Sequence, residues 1–350
     1  MKIQKDKLAQ KINKLKSVVP KKTNTPVLQG ILVKDGYLIA NNGEMTVKAK
    51  LEGTENESLI IPMRAFDLIN NLPDGEIQIV SKGKDKIKIK TDNIENTYKT
   101  LNPDEYPVIA VNNGNDSKVT ISSKVFLDSI KRVSFAIPAQ FKKPVMTSLC
   151  LEAADGKLNF VGTDSHILAW DKIDYEGDFK LLIPKNAVDK ILAVGITGDI
   201  SIQYTTNSAM FVTEEYEIYT RLIEGEYFRY QTMFDNLPMY TVVTRMDLLN
   251  AMIRANTCID EKLPVRFDIK ENLLDIYIKD STTNYHETIF LQEPLSSDLV
   301  IGFNAKLVSE TLRAFDCKNI AIQLAGPKQP MIIEAEDNDF KALILPVAIS

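Results

Sequence analysis

The sequence predicts an α+β protein made of three tandem copies of one domain, and three observations predict it. A phrase with helical apolar spacing recurs: "IPMRAFDLINNL" from Ile61, "IPKNAVDKILAV" from Ile183 and, more loosely, "FNAKLVSETLRAF" from Phe303, at spacings of 122 and 120. Each phrase is followed by a short alternating stretch, "EIQIV", "DISIQ" and "NIAIQ", whose Ile77, Ile200 and Ile320 lie 16, 17 and 17 residues after the phrase begins. Each is preceded by an amphipathic helix, a proline and a pair of strands; the prolines, Pro26, Pro144 and Pro264, are 118 and 120 apart. Agreement of separate anchors on one period near 120 is the signature of internal repetition.

Within a unit the first element is a helix: "DKLAQKINKLKSVV", "SKVFLDSIKRVSFAI" and "RMDLLNAMIRANTCI". Leu8, Ile12, Leu15 and Val19 make one helical face of the first. Thr244 and Asp247 fit a capping box at the start of the third. The strand pairs "PVLQGILVKDGYLIAN", "PVMTSLCLEAADGKLNFVG" and "PVRFDIKENLLDIYIK" follow, with hairpin turns expected at Asp35-Gly36, Asp155-Gly156 and Glu271-Asn272. Then come the second helix and the alternating strand, where period two marks a half-buried face. A further echo pairs "LNPDEYP" from Leu101 with "LIEGEYF" from Leu222, 121 apart. Polar or turn-rich connectors, "NNGNDSK" and "DNLPMYT", set the domains at 1–117, 118–239 and 240–350.

Composition bounds the function. The chain is 44% apolar and 25% charged, ordinary for a soluble globular protein, and has no apolar run long enough for a membrane span. "MKIQKDKLAQKINKLK" has no apolar signal-peptide core, so a cytoplasmic protein is expected. Three distant cysteines, Cys150, Cys258 and Cys317, suggest neither a disulfide framework nor a zinc site. No phosphate-cradling glycine loop occurs, and no cofactor is expected.

Charge is segregated. Residues 1–22 hold eight lysines against Asp6 alone, a net +7 in a chain of net −5. Lys7, Lys11 and Lys14 share one helical stripe. The second helix and its exit carry Lys124, Lys131, Arg132, Lys142 and Lys143, and the later helices begin with Arg64, Lys185 and Lys306. Recurrence of basic residues on helices in all three units suits a phosphate-contacting surface better than a merely solvated face.

Over its whole length the chain resembles the bacterial sliding clamp, the beta subunit of DNA polymerase III. The resemblance rests on "KKTNTPVLQGILV" at 21–33, "TDSHILAW" at 163–170, "RLIEGEYFRYQTMF" at 221–234, "IGFNAKLVSETLRAF" at 301–315 and the terminal "LILPVAIS". It implies a homodimeric ring of six domains, with helices lining the hole and antiparallel sheets outside. Duplex DNA threads the hole without sequence readout, a clamp loader opens the ring, and the ring tethers the DNA polymerase III alpha subunit, other polymerases and repair proteins by short peptides. Such a protein is a processivity factor, not an enzyme. The alternative is a divergent peptide-binding scaffold that does not encircle DNA.

The resemblance also assigns residues. DNA contacts fall on Lys22, Gln140 and Lys143, joined by Lys7, Lys11, Lys14, Arg64, Lys131, Lys185 and Lys306 from the charge pattern. The partner-peptide pocket maps to Met146, Thr163, Ser165, His166, Ile167, Leu168, Phe228, Thr232, Met233, Leu343, Leu345, Pro346 and Val347. The ring interface maps to Tyr106 and Val108 against Cys258 and Ile259 of a second copy. Several positions depart from the family: Ser165 stands where glycine is usual, Ile167 and Thr232 where arginine is usual, Phe228 where proline is usual. Pro144 and Val145 stand where the family often has aromatics. A changed peptide preference is therefore expected. The adjacency of Asp164, Ser165 and His166 invites a triad reading, but neighbours on a strand alternate faces and do not converge on one reacting atom. His286 reads as a surface strand residue without a partner.

Overall fold

The computed structural model describes residues 1–350 except 84, 108–117, 260–262, 280, 282 and 350. The connector at 112–117, with the expected boundary at 117, lies outside the described residues.

The repeat is visible element by element. The first unit runs β1 (Lys2–Gln4), α1 (Lys5–Leu15), β2 (Gly30–Lys34), β3 (Tyr37–Asn41), β4 (Met45–Lys50), β5 (Ser58–Pro62), α2 (Phe66–Asn71), β6 (Glu76–Ser81), β7 (Lys86–Lys90) and β8 (Glu95–Lys99). The second repeats that order as β9 (Lys118–Ser122), α3 (Ser123–Ser134), β10 (Ser148–Ala154), β11 (Lys157–Thr163), β12 (Ile167–Asp174), β13 (Phe179–Pro184), α4 (Lys185–Val194), β14 (Asp199–Tyr204), β15 (Ser208–Val212) and β16 (Tyr216–Arg221). The third repeats it again as β17 (Met239–Thr244), α5 (Arg245–Thr257), β18 (Val265–Lys270), β19 (Leu273–Lys279), β20 (Asn284–Phe290), β21 (Leu299–Phe303), α6 (Ala305–Ala314), β22 (Asn319–Leu324), β23 (Met331–Ala335) and β24 (Lys341–Ile344).

The chain folds as two compact units, residues 1–127 with 186–222, and residues 128–185 with 223–350. In the first unit, β1-β6-β7-β8 form a four-stranded sheet and β5-β2-β3-β4-β16-β15-β14-β9 an eight-stranded one. In the second, β13-β10-β11-β12-β24-β23-β22-β17 form an eight-stranded sheet and β20-β19-β18-β21 a four-stranded one. All pairings are antiparallel. One rule generates all four sheets. Each repeat supplies two half-sheets, and the second half-sheet of a repeat extends the first half-sheet of the repeat before it. The seams are β4 on β16 and β12 on β24. Among the described strands none from another repeat pairs with the outer edge of β8 or β20, which are open edges.

The hairpins form where the turn residues stand. Asp35 and Gly36 take φ of 52° and 80°, and Asp155 and Gly156 take 53° and 72°. Two successive positive values suit the tight hairpin turn and are tolerated by aspartate and glycine. Leu8, Ile12 and Leu15 of α1 are fully buried, as the apolar stripe requires. That helix is shorter than its apolar pattern: it ends at Leu15, and Val18 and Val19 are buried from the turn that follows.

The capping box expected at α5 does not form. Thr244 is at the N-cap, but its side chain caps no backbone N–H; its hydroxyl accepts from Gln292 Nε2 at 3.2 Å instead. The side-chain cap is found on α6, where Asn304 Oδ1 accepts from the N–H groups of Lys306 and Leu307. Asparagine there satisfies two of the free donors at a helix start.

Candidate functional site

The basic side chains divide into two kinds. Lys7 and Lys22 are exposed, as is Arg64 at the entry to α2. Lys11 and Lys14, on the same stripe as Lys7, are committed within the fold. Lys11 Nζ lies 3.1 Å from Glu215 and 5.3 Å from the centre of the Tyr216 ring. Lys14 Nζ donates to the Gly195 carbonyl at 3.2 Å and sits 5.2 Å from the same ring. Burial pushes the Tyr216 hydroxyl up to about 12, so the ring stays neutral beneath both ammonium groups.

In the second unit Lys131, Gln140, Lys143 and Lys306 are exposed and Lys185 is half-buried. Gln140 and Lys143 flank Phe141 and Lys142 in the loop after α3, and both of these are exposed too. Arg132 is held at 3.3 Å by Asp171 and at 3.3 Å by Asp316. Burial raises the Asp171 carboxyl pKa even beside that guanidinium. Lys131 and Arg132 line a cavity of about 530 Å³ with Phe135, Arg313 and Asp316.

The apolar site is built on the β12–β24 seam. Cys150, Val161, Leu168, Leu182, Tyr227, Tyr230, Phe234, Ile332 and Leu343 form one buried cluster, with Val145, Trp170, Ile223, Phe228 and Leu237 packed against it. Trp170 meets Tyr230 edge-on at 5.2 Å and Phe234 at 5.3 Å. Its indole N–H donates to Asn159 at 2.9 Å, while Tyr230 donates to Glu152 at 2.6 Å. Burial pushes the Cys150 thiol up to about 12, so it is an inert apolar filler.

Of the residues expected in the pocket, Leu168, Phe228 and Leu343 belong to this cluster. Ile167, buried beside Leu168 on β12, points to the opposite sheet face. Thr163 is buried, and its hydroxyl donates to the Ile167 carbonyl at 2.6 Å. Met233 and Leu345 stand out at 48% and 40% exposed, the first between Tyr230 and Phe234, the second two residues past Leu343. Leu345 N–H donates to the His166 carbonyl at 2.9 Å and Val347 N–H to the Gly302 carbonyl at 2.8 Å, so Pro346 and its neighbours run on as an extended tail. Met146 is half-buried and Thr232 exposed. The aromatic centre of the cluster, Trp170, Tyr230 and Phe234, was not among the residues named from sequence. The sole tryptophan and the aromatic density of "EYFRYQTMF" are the signals that mark it.

Three expectations are corrected. Asp164, Ser165 and His166 form a turn between β11 and β12, not strand: Asp164 Oδ1 accepts from the N–H of His166 and of Ile167, both at 2.8 Å. The aspartate is spent on the backbone, and Ser165 takes a φ of 77°. His286 does have partners. Its Nε2 is 2.9 Å from Asp275 Oδ1, and its ring stacks on Tyr277 at 4.5 Å. Thr288 also approaches that same Nε2, at 3.4 Å. A catalytic relay needs nucleophile and carboxylate on opposite ring nitrogens, so this network is structural.

Tyr106, expected at a ring interface, is a core residue. It is 4% exposed, packs with Val27, Leu28, Leu32, Ile39 and Ile60, and donates to the Ile39 carbonyl at 3.2 Å. Its counterpart 121 residues on, Tyr227, is buried in the same way, which explains the "EY" echo. Val108 lies outside the described residues. Cys258 and Ile259, after α5, are half-buried.

Comparison with known proteins places this architecture. Residues 1–110, 120–228 and 236–348 match, in order, the family models of the DNA polymerase III beta subunit N-terminal, central and C-terminal domains. A beta sliding clamp of Staphylococcus epidermidis is 25% identical over 374 residues, covering 99% of this chain and 98% of that one. One from Staphylococcus aureus is 25% identical over 376 residues with the same coverage. The solved structure of the DNA polymerase beta subunit of Streptococcus pyogenes superposes with a TM-score of 0.92 at 21% identity, over 99% of each chain. The sliding clamp of Bacillus subtilis gives 0.91 at 20% identity, over 100% of this chain and 99% of that one. With three domain models matched in sequence order along nearly its full length, the chain belongs to the DNA polymerase III beta subunit family, the bacterial sliding clamps.

Proposed function

We propose that the protein is a DNA sliding clamp: a non-catalytic processivity factor that closes as a head-to-tail ring of two chains around duplex DNA and tethers a polymerase by a peptide. The observation that carries this reading is the pair of open edges. Inside the chain every such edge is sealed by the neighbouring repeat; β8 and β20 are the two that a second copy would seal. Phe290, 72% exposed on β20, is a large apolar side chain on that edge and supports a covered position. An exposed strand edge is otherwise a liability.

Exposed Lys7, Lys22, Arg64, Lys131, Lys143 and Lys306, with Gln140, are the groups we assign to phosphate contact. Phosphate contacts carry no sequence information, so a ring using them alone can slide. Such binding is weak at physiological salt, about 10⁻⁴ to 10⁻⁶ M, and topology rather than affinity retains the ring. The cluster around Trp170 and Tyr230, with Met233 and Leu345 exposed beside it, is the groove we assign to a peptide bearing bulky apolar side chains. A clamp loader and a cytoplasmic setting belong to the same proposal, and so do domain boundaries near 117 and 239.

The test is retention on circular DNA. The protein is loaded on nicked circles by the host's loader, washed in high salt, and the circle is then cut. Retention that vanishes on cutting establishes encirclement. No retention, with the loader proven on the host's standard clamp, would overturn it in favour of a peptide-binding scaffold.

A further inference from the structure

The solvent face of the sheet β1-β6-β7-β8 carries six lysines. They are Lys2 on β1, Lys82 just after β6, Lys86, Lys88 and Lys90 on β7, and Lys99 on β8. Ile77, Ile79, Ile87 and Ile89 alternate with them onto the buried side. Two carboxylates share the solvent face. Glu76 is 3.6 Å from Lys2, and Glu95 is 3.2 Å from Lys90 and also bonds Lys88. Among the described residues no carboxylate lies within ion-pair distance of Lys82, Lys86 or Lys99. Lys86 stands directly opposite Lys99.

The fold does not ask for these charges. In the second repeat, Ser208, Met210 and Val212 of β15 occupy the places of Lys86, Lys88 and Lys90. Like charges opposed on a sheet are destabilising. Lysines do guard edge strands against unwanted pairing, but that accounts only for Lys2 on β1 and Lys99 on β8, since β6 and β7 are interior strands. The excess is concentrated on one face of a chain whose net charge is −5.

We propose that this face binds the phosphate backbone of a single nucleic-acid strand, as a contact separate from the basic helix faces. Successive outward lysines on β7 are about 7 Å apart along the strand, and neighbouring strands are about 4.8 Å apart, which makes a flat grid of point charges. A flexible strand can lay its phosphates along such a grid, and ammonium groups suit phosphate without demanding fixed geometry. The face has no arginine and no aromatic residue, so it neither stacks on bases nor reads them. A protein partner would need a buried apolar or aromatic anchor; the face offers only Val80, 36% exposed. Release of counterions needs no anchor.

The measurement is fluorescence anisotropy of a short, linear, end-labelled oligothymidine against salt, so topology plays no part. The variant Lys82→Gln/Lys86→Gln/Lys88→Gln is expected to bind at least fivefold more weakly. The slope of log K against log salt should be shallower by about 2, at about 0.7 per lost contact. The matching Lys→Arg variant should restore both. Melting of the Gln variant and its loader-dependent retention on circular DNA should be unchanged. Oligonucleotide binding that survives the Gln substitutions, or that is lost only in a Lys7→Gln/Lys22→Gln variant, would overturn the proposal. So would displacement of the oligonucleotide by a polyglutamate peptide of matched charge as readily as by unlabelled oligonucleotide, which would assign the face to acidic protein segments.

Discussion

Ser165 shows what one residue out of place costs. Its φ of 77° lies in the left-handed region, where only glycine is at ease. The turn is nevertheless held, by Asp164 on two N–H groups and by Thr163 Oγ1, which accepts from Ser165 N–H at 3.2 Å. Ser165→Gly should relieve about 1 kcal/mol of strain and raise the melting temperature by a few degrees in calorimetry. Ser165→Val should lower it, since a β-branched residue at positive φ is strained further. A neutral result for both would mean the turn relaxes. The lysine stripe divides on similar grounds. Lys11→Glu would set a carboxylate against Glu215 and off the Tyr216 ring, at a cost of about 1–2 kcal/mol of stability. Lys7→Glu, on an exposed side chain, should leave melting alone and weaken DNA binding. Spacing placed all three lysines on one helical stripe; it could not say which of them the neighbouring repeat had already engaged.

At the scale of elements, periodicity carried most of the reading. Helices, hairpins and alternating strands stand where apolar spacing and turn residues put them, because those signals are local. The failures are non-local. The Thr244 hydroxyl is taken by Gln292, 48 residues away, rather than by its own helix. His286 finds Asp275 and Tyr277 across a strand pair that only the sheet register defines. The aromatic groove is of the same kind, and it supplies its own probe. Trp170 is the only tryptophan and packs on Tyr230 and Phe234. A peptide with bulky apolar side chains should therefore shift or quench the intrinsic fluorescence as it binds. Leu345→Lys should weaken that binding roughly tenfold with melting unchanged, because Leu345 is exposed before the peptide arrives. On the open edge, Arg254 bonds the Glu287 carboxyl and holds its pKa below the ordinary value, and Thr288 and His286 do the same for Asp275. The folded values lie below the unfolded ones, near 4. The stabilisation is therefore present at neutral pH and lost as pH falls through the lowered values. Hydrogen exchange at β20 should rise below about pH 4, and Glu287→Gln should remove part of that dependence.

For the whole molecule, three repeats of near-equal length were legible from spacing alone, whereas the way one repeat seals the next was not, since strand pairing between repeats has no local signal. The two seams inside the chain make the third calculable. On the first, Thr46 of β4 stands opposite Tyr219 of β16; on the second, Leu168 of β12 stands opposite Leu343 of β24. Along the sheets Lys48 lies in line with Ile39, Leu32 and Ile60, Trp170 with Val161, Cys150 and Leu182, and His286 with Tyr277, Arg266 and Gly302. Ile60, Leu182 and Gly302 are 122 and 120 apart, so His286 takes the place of Lys48 and Trp170, and Asn284, two residues earlier, that of Thr46 and Leu168. Tyr219 and Leu343 occupy the place that Thr97 takes on β8. Both seams thus put Thr97 of one copy opposite Asn284 of the next. Val47 with Ile218 and Ala169 with Ala342 are fully buried, and the corresponding pair is Tyr285 with Asn96. Asn96 is exposed in the single chain, as expected of a position whose partner belongs to another copy. Directly opposed residues on antiparallel strands have Cβ atoms about 5 Å apart. With Cys258 replaced by serine to remove the one cysteine that is not buried, Thr97→Cys/Asn284→Cys should link into a covalent two-chain species with a short bis-maleimide. Thr97→Cys/Thr288→Cys should link poorly, because Thr288 lies four residues along the same face, about 14 Å away. If the protein sediments as a dimer and the first pair does not link, the copies meet in another register; if the second pair links as well as the first, the seam rule does not extend beyond the chain.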